Sequence, residues 1–374
     1  MLQQPATATS MPLSPTPIIV DGHIDTPQRM LDRHDDLSAR HADGHVDIPR
    51  MLEGGLTAAF FAIWVDERYE RGGAFRRALD LIGAVRALAD TNPAVEVVTD
   101  AAGVRAAAAR GHVAALLGVE GGHAIEHSLD HLDSLYRLGV RYMTLTWNNG
   151  NDWAGSSMDP RRHGGLSAFG KQVVRRMNAL GMLVDVSHVS DSTFWDVLAT
   201  TAKPVIASHS ACRALAHHPR NLNDEQLRAI ARNGGVVGIN FYPVFLDEHF
   251  YHAYQELRRR IKPETDSIRA HYRGTPGASA FAVDQYVGEQ VAAQLDVPGI
   301  DRLLDHIDHA VQVMGVDHVA LGSDFDGISV LPAPMKDATS MPLVVAGLRA
   351  RGYSDSDVRK ILGENFLRVL SSAR

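Results

Sequence analysis

One cysteine, Cys212, stands among 374 residues, so no disulfide can close within the chain, and a reducing compartment, the cytoplasm, is the expected setting. Basic side chains are in the minority: 37 Lys and Arg face 44 Asp and Glu, for a net charge of -7. With no basic stripe interleaved with aromatics, that balance gives no counterion-release drive for phosphate binding, which excludes a nucleic-acid partner. Uninterrupted apolar runs of about 18 residues are missing, and so is an apolar tail at Leu370 to Arg374, so neither a membrane-spanning helix nor a lipid anchor is expected. Residues 1–16 lack the basic and apolar regions of an export signal and read as a disordered tail before a single domain at 17–374. What is left is ordinary for a soluble globular protein, 45% hydrophobic and 22% charged, at a length that suits one α/β barrel with insertions.

Eight apolar runs punctuate the chain. Ile18 to Asp25 comes first, with β-branched Ile18, Ile19 and Val20 behind Pro15 and Pro17, which block a helix. Gly55 to Trp64, Val113 to Val119, Val140 to Thr146, Met182 to Ser187, Val205 to Ser208, Val236 to Asn240 and His318 to Ser323 follow, most of them apolar on both faces, as strands covered on both sides are. Between them lie helical periodicities. Ala74 to Ala89 repeats Leu79, Ile82, Val85 and Leu88 at spacings of three, and Glu225 to Arg232 follows a candidate cap at Asp224. Strand and helix alternating in this way predict a (β/α)8 barrel. An open doubly wound sheet is the alternative, but no Gly-x-Gly-x-x-Gly turn follows the first strand to serve a nucleotide. One connection is out of scale: residues 241–317, charged and helical in part, read as a long insertion between strands seven and eight that serves as a lid or an interface.

Strand one ends in His23 and Asp25, strand three in Glu120, strand five in His188, strand six in His209 and strand eight in Asp324. In a barrel those ends open into one mouth, where catalytic groups collect. Three histidines with two or three carboxylates form a mixed nitrogen and oxygen set that suits zinc first, with manganese or cobalt able to substitute. Six candidates exceed the four ligands of a tetrahedral site, so two divalent cations sharing Glu120 is the economical arrangement, and a water held between them would be acidified toward neutrality. Metal-assisted hydrolysis is the reaction class. Other histidines receive blander roles: His34, His41, His45, His217 and His218 sit in polar loops, His306 and His309 lie on a helical face, and His123 orients Glu120 or packs beside it. Asn148, Asn149 and Asn151, which follow strand four, are candidates for substrate contact.

The segments VDGHIDTP, GVEGGHAIE, RYMTLTWN, VDVSHVSDSTF, PVIASHSACRAL, HHPRNLND, GINFYP, LGSDFDGI and ILGENFLRVL, in this order from Ile18 to Leu370, resemble the membrane or renal dipeptidase family of metallopeptidases, within the amidohydrolase-like barrels. The resemblance implies a binuclear zinc site, with His23, Asp25 and Glu120 on one metal and Glu120, His188 and His209 on the other. It implies dipeptide substrates, including those with a D-residue on the C-terminal side, and it allows a homodimer. It makes Asp324 the proton carrier between water and leaving amine, with Asp326 better read as a loop anchor. Arg220 falls on the position that holds the substrate's C-terminal carboxylate, for which a guanidinium fork is well shaped. There is one departure. Mammalian-type members carry a histidine directly after the strand-four LTLT-like run, near the scissile carbonyl, whereas this chain has Trp147, whose indole only donates and cannot titrate. Trp147 and Asn148 are therefore expected to shape the substrate pocket and its preferences.

Two rival functions share some of these features. A single-metal deaminase or another amidohydrolase would have the His-x-Asp, two histidines and the final Asp, but Glu120 on strand three, with no lysine on strand four, argues against it. A non-catalytic metal-binding scaffold is opposed by the intact ligands and Asp324. Fold alone does not fix a substrate, so the dipeptide expectation rests on the resemblance.

Overall fold

Eight parallel strands close into a barrel because most are apolar on both faces and helices cover their outer side. The computed structural model describes Leu13 and residues 16–159, 161–162 and 164–373, so almost all of the 1–16 tail lies outside the described residues. The strands are β1 (Val20–Ile24), β2 (Ala58–Trp64), β3 (Val95–Val97), β4 (Val113–Glu120), β5 (Val140–Thr144), β6 (Leu183–Asp185), β7 (Val205–Ser210), β8 (Val236–Ile239) and β9 (Val319–Leu321). Pairing runs β2-β1-β9-β8-β7-β6-β5-β4, and β4 pairs with β2 to shut the ring. The eight runs read from the sequence are all present as barrel strands. β3 was not expected. β5 pairs with β4 only over Leu117–Glu120, and β3 takes the lower stretch at Val113–Ala115 that β5 leaves open. Three residues are too few to show a period, which hides such a strand from sequence patterning.

Alternation of side chains divides the core in two. Ala114 and Leu116 of β4 cluster in the lumen with Ala58, Phe60, Tyr142, Ile206 and Ala320, while Ala115, Leu117 and Val119 meet the surrounding helices. The same inward face, continued past Gly118, brings Glu120 to the top of the lumen. Gly118 is required there: a Cβ would stand 2.1 Å from the ring of Tyr142, which crosses the lumen toward β1. Along β1 the register slips between Asp21 and Ile24, a bulge that re-aims the strand end carrying His23.

Helix Asp224–Arg232 corrects one detail. Its cap is Asn223, not Asp224: Asn223 Oδ1 accepts from Gln226 N and Gln226 Oε1 accepts from Asn223 N, a reciprocal pair that a lone Asp224 cannot supply. The 241–317 connection folds as helices Pro243–Leu246, Glu248–Arg260, Lys262–His271, Pro276–Gln294 and Ile300–Met314. Part of it has its own apolar core, in which Phe250, Tyr254 and Leu257 meet Val283, Val287 and Val291. Helix Pro276–Gln294 lies against the helical turn Arg29–Arg33 that follows β1, where Arg29 and Arg33 sit over the Phe281 ring at 5.4 and 4.1 Å. The insertion thus roofs the barrel mouth. No described helix is long and apolar enough to cross a membrane.

Candidate metal centre and substrate cavity

Glu120 divides its two oxygens between two sets of donors. Oε2 lies 3.4 Å from His23 Nε2, which is itself 3.4 Å from Asp25 Oδ2. Oε1 lies 2.8 Å from His188 Nε2 and 3.5 Å from His209 Nε2. Among the described residues these form two overlapping groups able to hold a metal, one of His23, Asp25 and Glu120, the other of Glu120, His188 and His209, and a third joins His23, His209 and Asp324. The five residues assigned to metal from the sequence therefore meet at one place, with Asp324 beside them.

Each imidazole is bonded from behind, which decides where its lone pair points. The hydroxyl of Tyr142 donates to Gly22 O at 3.2 Å and accepts from His23 Nδ1 at 2.8 Å. Ser208 Oγ donates to Asp185 Oδ2 at 2.6 Å and accepts from His209 Nδ1 at 2.8 Å. His188 Nδ1 donates to Asn148 Oδ1 at 3.1 Å. All three Nδ1 atoms carry the proton, so all three Nε2 atoms present lone pairs. His188 Nε2 and His209 Nε2 then face each other at 3.0 Å beside a carboxylate, an arrangement that repels unless a cation joins it. On the other side, His23 Nε2 is buried with no hydrogen-bond partner among the described residues. These donors fit divalent metal.

Electrostatics agree with that fit. Burial and the nearby Arg220 guanidinium push the pKa of His188 down to about 3, and burial together with His23 lowers that of His209, so both rings are neutral donors. Burial opposes a charge on His23, yet Tyr142, Glu120 and Asp25 raise its pKa: the carboxylates favour a positive charge there, and a metal supplies it in a proton's place. Asp324 is held from two sides, its N–H bonded to His23 O at 3.0 Å and its Oδ2 accepting from Asn240 Nδ2 at 2.9 Å. Burial acts to raise its pKa, but His209, His23 and the Asn240 bond outweigh it and keep the carboxylate ionised. Both His188 and Asp324 hold left-handed backbone, at φ 67 and 65, a strain that non-glycine residues accept where surrounding structure fixes them.

Arg220 is buried in the cavity wall beside His188 and His209. Its Nη2 donates to His209 O at 3.0 Å, its N–H donates to His218 Nδ1 at 3.1 Å, and its Nε has no partner among the described residues. Burial lowers its pKa to about 10, which leaves it a cation. Trp147 lines the cavity and meets Trp64 edge to face at 5.0 Å. Asn148 also lines the cavity, but its side-chain oxygen is turned to His188. Asn149 is buried there with neither side-chain atom bonded among the described residues, whereas Asn151 shapes its own turn by accepting from the N–H groups of Trp153 and Ala154. Asp326 is a loop anchor that accepts from Thr26 Oγ1 at 2.8 Å and Arg29 Nη1 at 3.2 Å.

Two loop histidines differ from the solvated default. His218 is buried against Phe245 and Tyr251, and burial and Arg220 push its pKa down to about 3; His45 is packed beside Phe325, with its pKa lowered by burial. His123 keeps to packing, with Nε2 2.9 Å from Val65 O. Sequence patterning missed Tyr142, which reads as one more apolar strand residue, and Asp185 and Ser208, which support His209 from the end of β6 and from within β7. Asn240 stands just past β8, and the strand-end rule that found the donors could have found it too. The whole site opens into a cavity of about 1510 Å³, floored by the strand ends and roofed by the insertion.

Comparison with known proteins agrees with this architecture. A profile of the family described as membrane dipeptidase, peptidase family M19, matches residues 9–374. Dipeptidase verJ of Clonostachys rogersoniana is 31% identical over 380 residues, spanning 95% of this chain and 84% of that protein. The uncharacterized dipeptidase C3A11.10c of Schizosaccharomyces pombe is 31% identical over 370 residues, spanning 94% of this chain and 80% of that protein. A solved metallo peptidase from Rhodobacter sphaeroides, liganded with a phosphinate mimic of the dipeptide L-Ala-D-Ala, superposes with a TM-score of 0.77 at 27% identity, covering 96% of this chain and 99% of that one. The probable dipeptidase PvdM from Pseudomonas aeruginosa does so with a TM-score of 0.79 at 27% identity, covering 96% and 95%. With a parallel barrel, paired donor sets at its mouth and a family match along nearly all of its length, the chain belongs to the membrane dipeptidase family, peptidase family M19.

Proposed function

We propose that this protein hydrolyses the peptide bond of dipeptides, those with a C-terminal D-residue among them, with zinc as its metal and the cytoplasm as its setting. The observation that carries the hydrolase is the division of Glu120 between two donor sets, which suits a pair of divalent cations rather than one. Such a pair, when bound, acidifies water and polarises a carbonyl. His23, Asp25, Glu120, His188 and His209 would hold it, and their nitrogen and oxygen mixture favours zinc. The rest falls to the chain's own groups. Asp324, ionised and steadied by Asn240, takes the proton of the attacking water and hands it to the leaving amine. Arg220 receives the substrate carboxylate, because its buried Nε is otherwise without an acceptor. Trp147 and Trp64 wall the pocket on the β2 and β5 side, and Asn148 steadies His188. The relative that binds an L-Ala-D-Ala mimic supports the stereochemistry.

The test is a panel of L,L and L,D dipeptides on protein reconstituted with zinc, with metal content measured in parallel. Turnover with about two metals per chain is expected, and L,D members should be among the substrates. A zinc-loaded protein that cleaves no dipeptide would overturn the proposal.

A further inference from the structure

The cavity is larger than the roughly 300 to 1,000 Å³ of ordinary small-ligand pockets, and roof residues Arg258, Arg269, Phe281 and Asp284 are among those that line it. A dipeptide is a zwitterion. Arg220 answers its carboxylate, but an ammonium needs an anion as well. Three carboxylates of the cavity, Asp25, Glu120 and Asp324, belong to the metal centre. Arginines take up four more: Asp66 pairs with Arg68, Glu70 with Arg162, Asp159 with Arg161 and Asp326 with Arg29. Glu67 is exposed at the rim. That leaves Asp284.

Asp284 belongs to helix Pro276–Gln294, and its placement follows from one face of that helix. Gly277, Phe281, Asp284 and Gly288 recur at helical spacing. Gly277 lies against Gln28 and Asp32 after β1, Phe281 lies under Arg29 and Arg33, and Gly288 touches Ser329 after β9. The face is thus pinned to the two loops that follow Asp25 and Asp324. Asp284 lines the main cavity and also a side cavity of about 250 Å³ that opens toward Asp326 and Ile328. It is half-buried and makes no hydrogen bond or ion pair among the described residues, although Arg258 and Arg269 are near enough to act on it electrostatically. Burial pushes its pKa up to about 7, with Asp324 adding to the rise and Arg258 opposing it. A carboxylate so placed gains from any cation brought under the roof.

We infer that Asp284 receives the α-ammonium of the substrate, so that the roof selects dipeptides with a free amino terminus. This rests on the dipeptidase activity proposed above. The experiment compares wild type with Asp284→Asn and Asp284→Glu, each zinc-loaded, on a good dipeptide and on the same molecule lacking its amine, used as a competitive inhibitor. For Asp284→Asn, KM for the dipeptide should rise about tenfold or more with kcat within about threefold, while the inhibition constant of the des-amino analogue stays put. Asp284→Glu should recover part of the loss. Equal weakening of both ligands, or of neither, in a wild type that cleaves dipeptides overturns the role of Asp284. Failure of wild type to cleave any dipeptide shows itself before a variant is made, and removes the dipeptidase reading and this one together.

Discussion

The floor and the roof of the cavity are built by different rules. Every donor on the floor stands at or just past a strand end, and Tyr142, Asn148, Ser208 and Asn240 each bond one of them from behind. Strand ends in a closed barrel cannot shift singly, so the floor is pre-set for one chemistry. The roof is a set of helices with an apolar core of its own, whose polar side chains Arg258 and Asp284 come near each other without closing an ion pair. Changes there leave the strands in place. The difference teaches where to look for each property: reaction type in the floor, choice of substrate in the roof and the indole wall.

The harshest way to break that contrast is Glu120→Gln. An amide offers one acceptor oxygen and one NH2, so it cannot serve both donor sets. We expect both metals and all measurable turnover to be lost, a fall above about 10^4, while circular dichroism and unfolding stay close to wild type. A variant that kept two metals and its activity would show that the floor is not organised around Glu120.

Asp324→Asn tests whether chemistry and metal holding can be separated within the floor. The amide keeps the shape beside Asn240 but accepts no proton, so kcat should drop by about 10^2 to 10^4 with metal content near native. An unchanged kcat moves proton transfer to another group.

Smaller effects follow one layer further back. Tyr142→Phe frees His23 Nδ1 and Ser208→Ala frees His209 Nδ1, and each should weaken zinc binding by about 10- to 100-fold in a chelator competition. Asp284→Asn, made in the roof, should leave zinc affinity as it is. Equal losses in all three variants would erase the distinction between floor and roof.

Legibility from sequence follows the same division. The donors could be read because a strand end is a fixed address: an apolar run stops, and the next polar residue enters the mouth, as with Glu120 after Val113–Val119. Asp324 and Arg220 needed the resemblance as well. Tyr142 was hidden because its function depends on crossing the lumen over Gly118, a relation between strands and not along one. Asp185 ends β6 but lies within the longer run Met182–Ser187 that the sequence reads as strand, so it looks like a strand residue until Ser208 and Thr144 are seen bonding it. Asp284 lies in a segment that reads only as a helical insertion, and its face acquires meaning from two loops, one about 250 residues before it and one about 45 after it, separations that no periodicity can reach.

The finest test concerns Trp147, which stands between the two regions. Its ring meets Trp64 at 5.0 Å in the cavity wall, and its carbonyl accepts from Ser156 Oγ at 2.8 Å, so the backbone is held independently of the indole. Trp147→Ala should therefore widen the pocket without moving His188 or Glu120. An indole neither titrates nor accepts a bond, so it takes no proton during turnover, and its removal should cost the best substrate less than about tenfold in kcat. Substrates with bulky side chains should gain relative to small ones, because a hydrophobic wall discriminates by volume and one methylene is worth only about 10- to 200-fold. The ranking across the dipeptide panel should change more than the best rate does. If the ranking holds and kcat collapses, Trp147 belongs to the floor, as a partner in the chemistry rather than a wall.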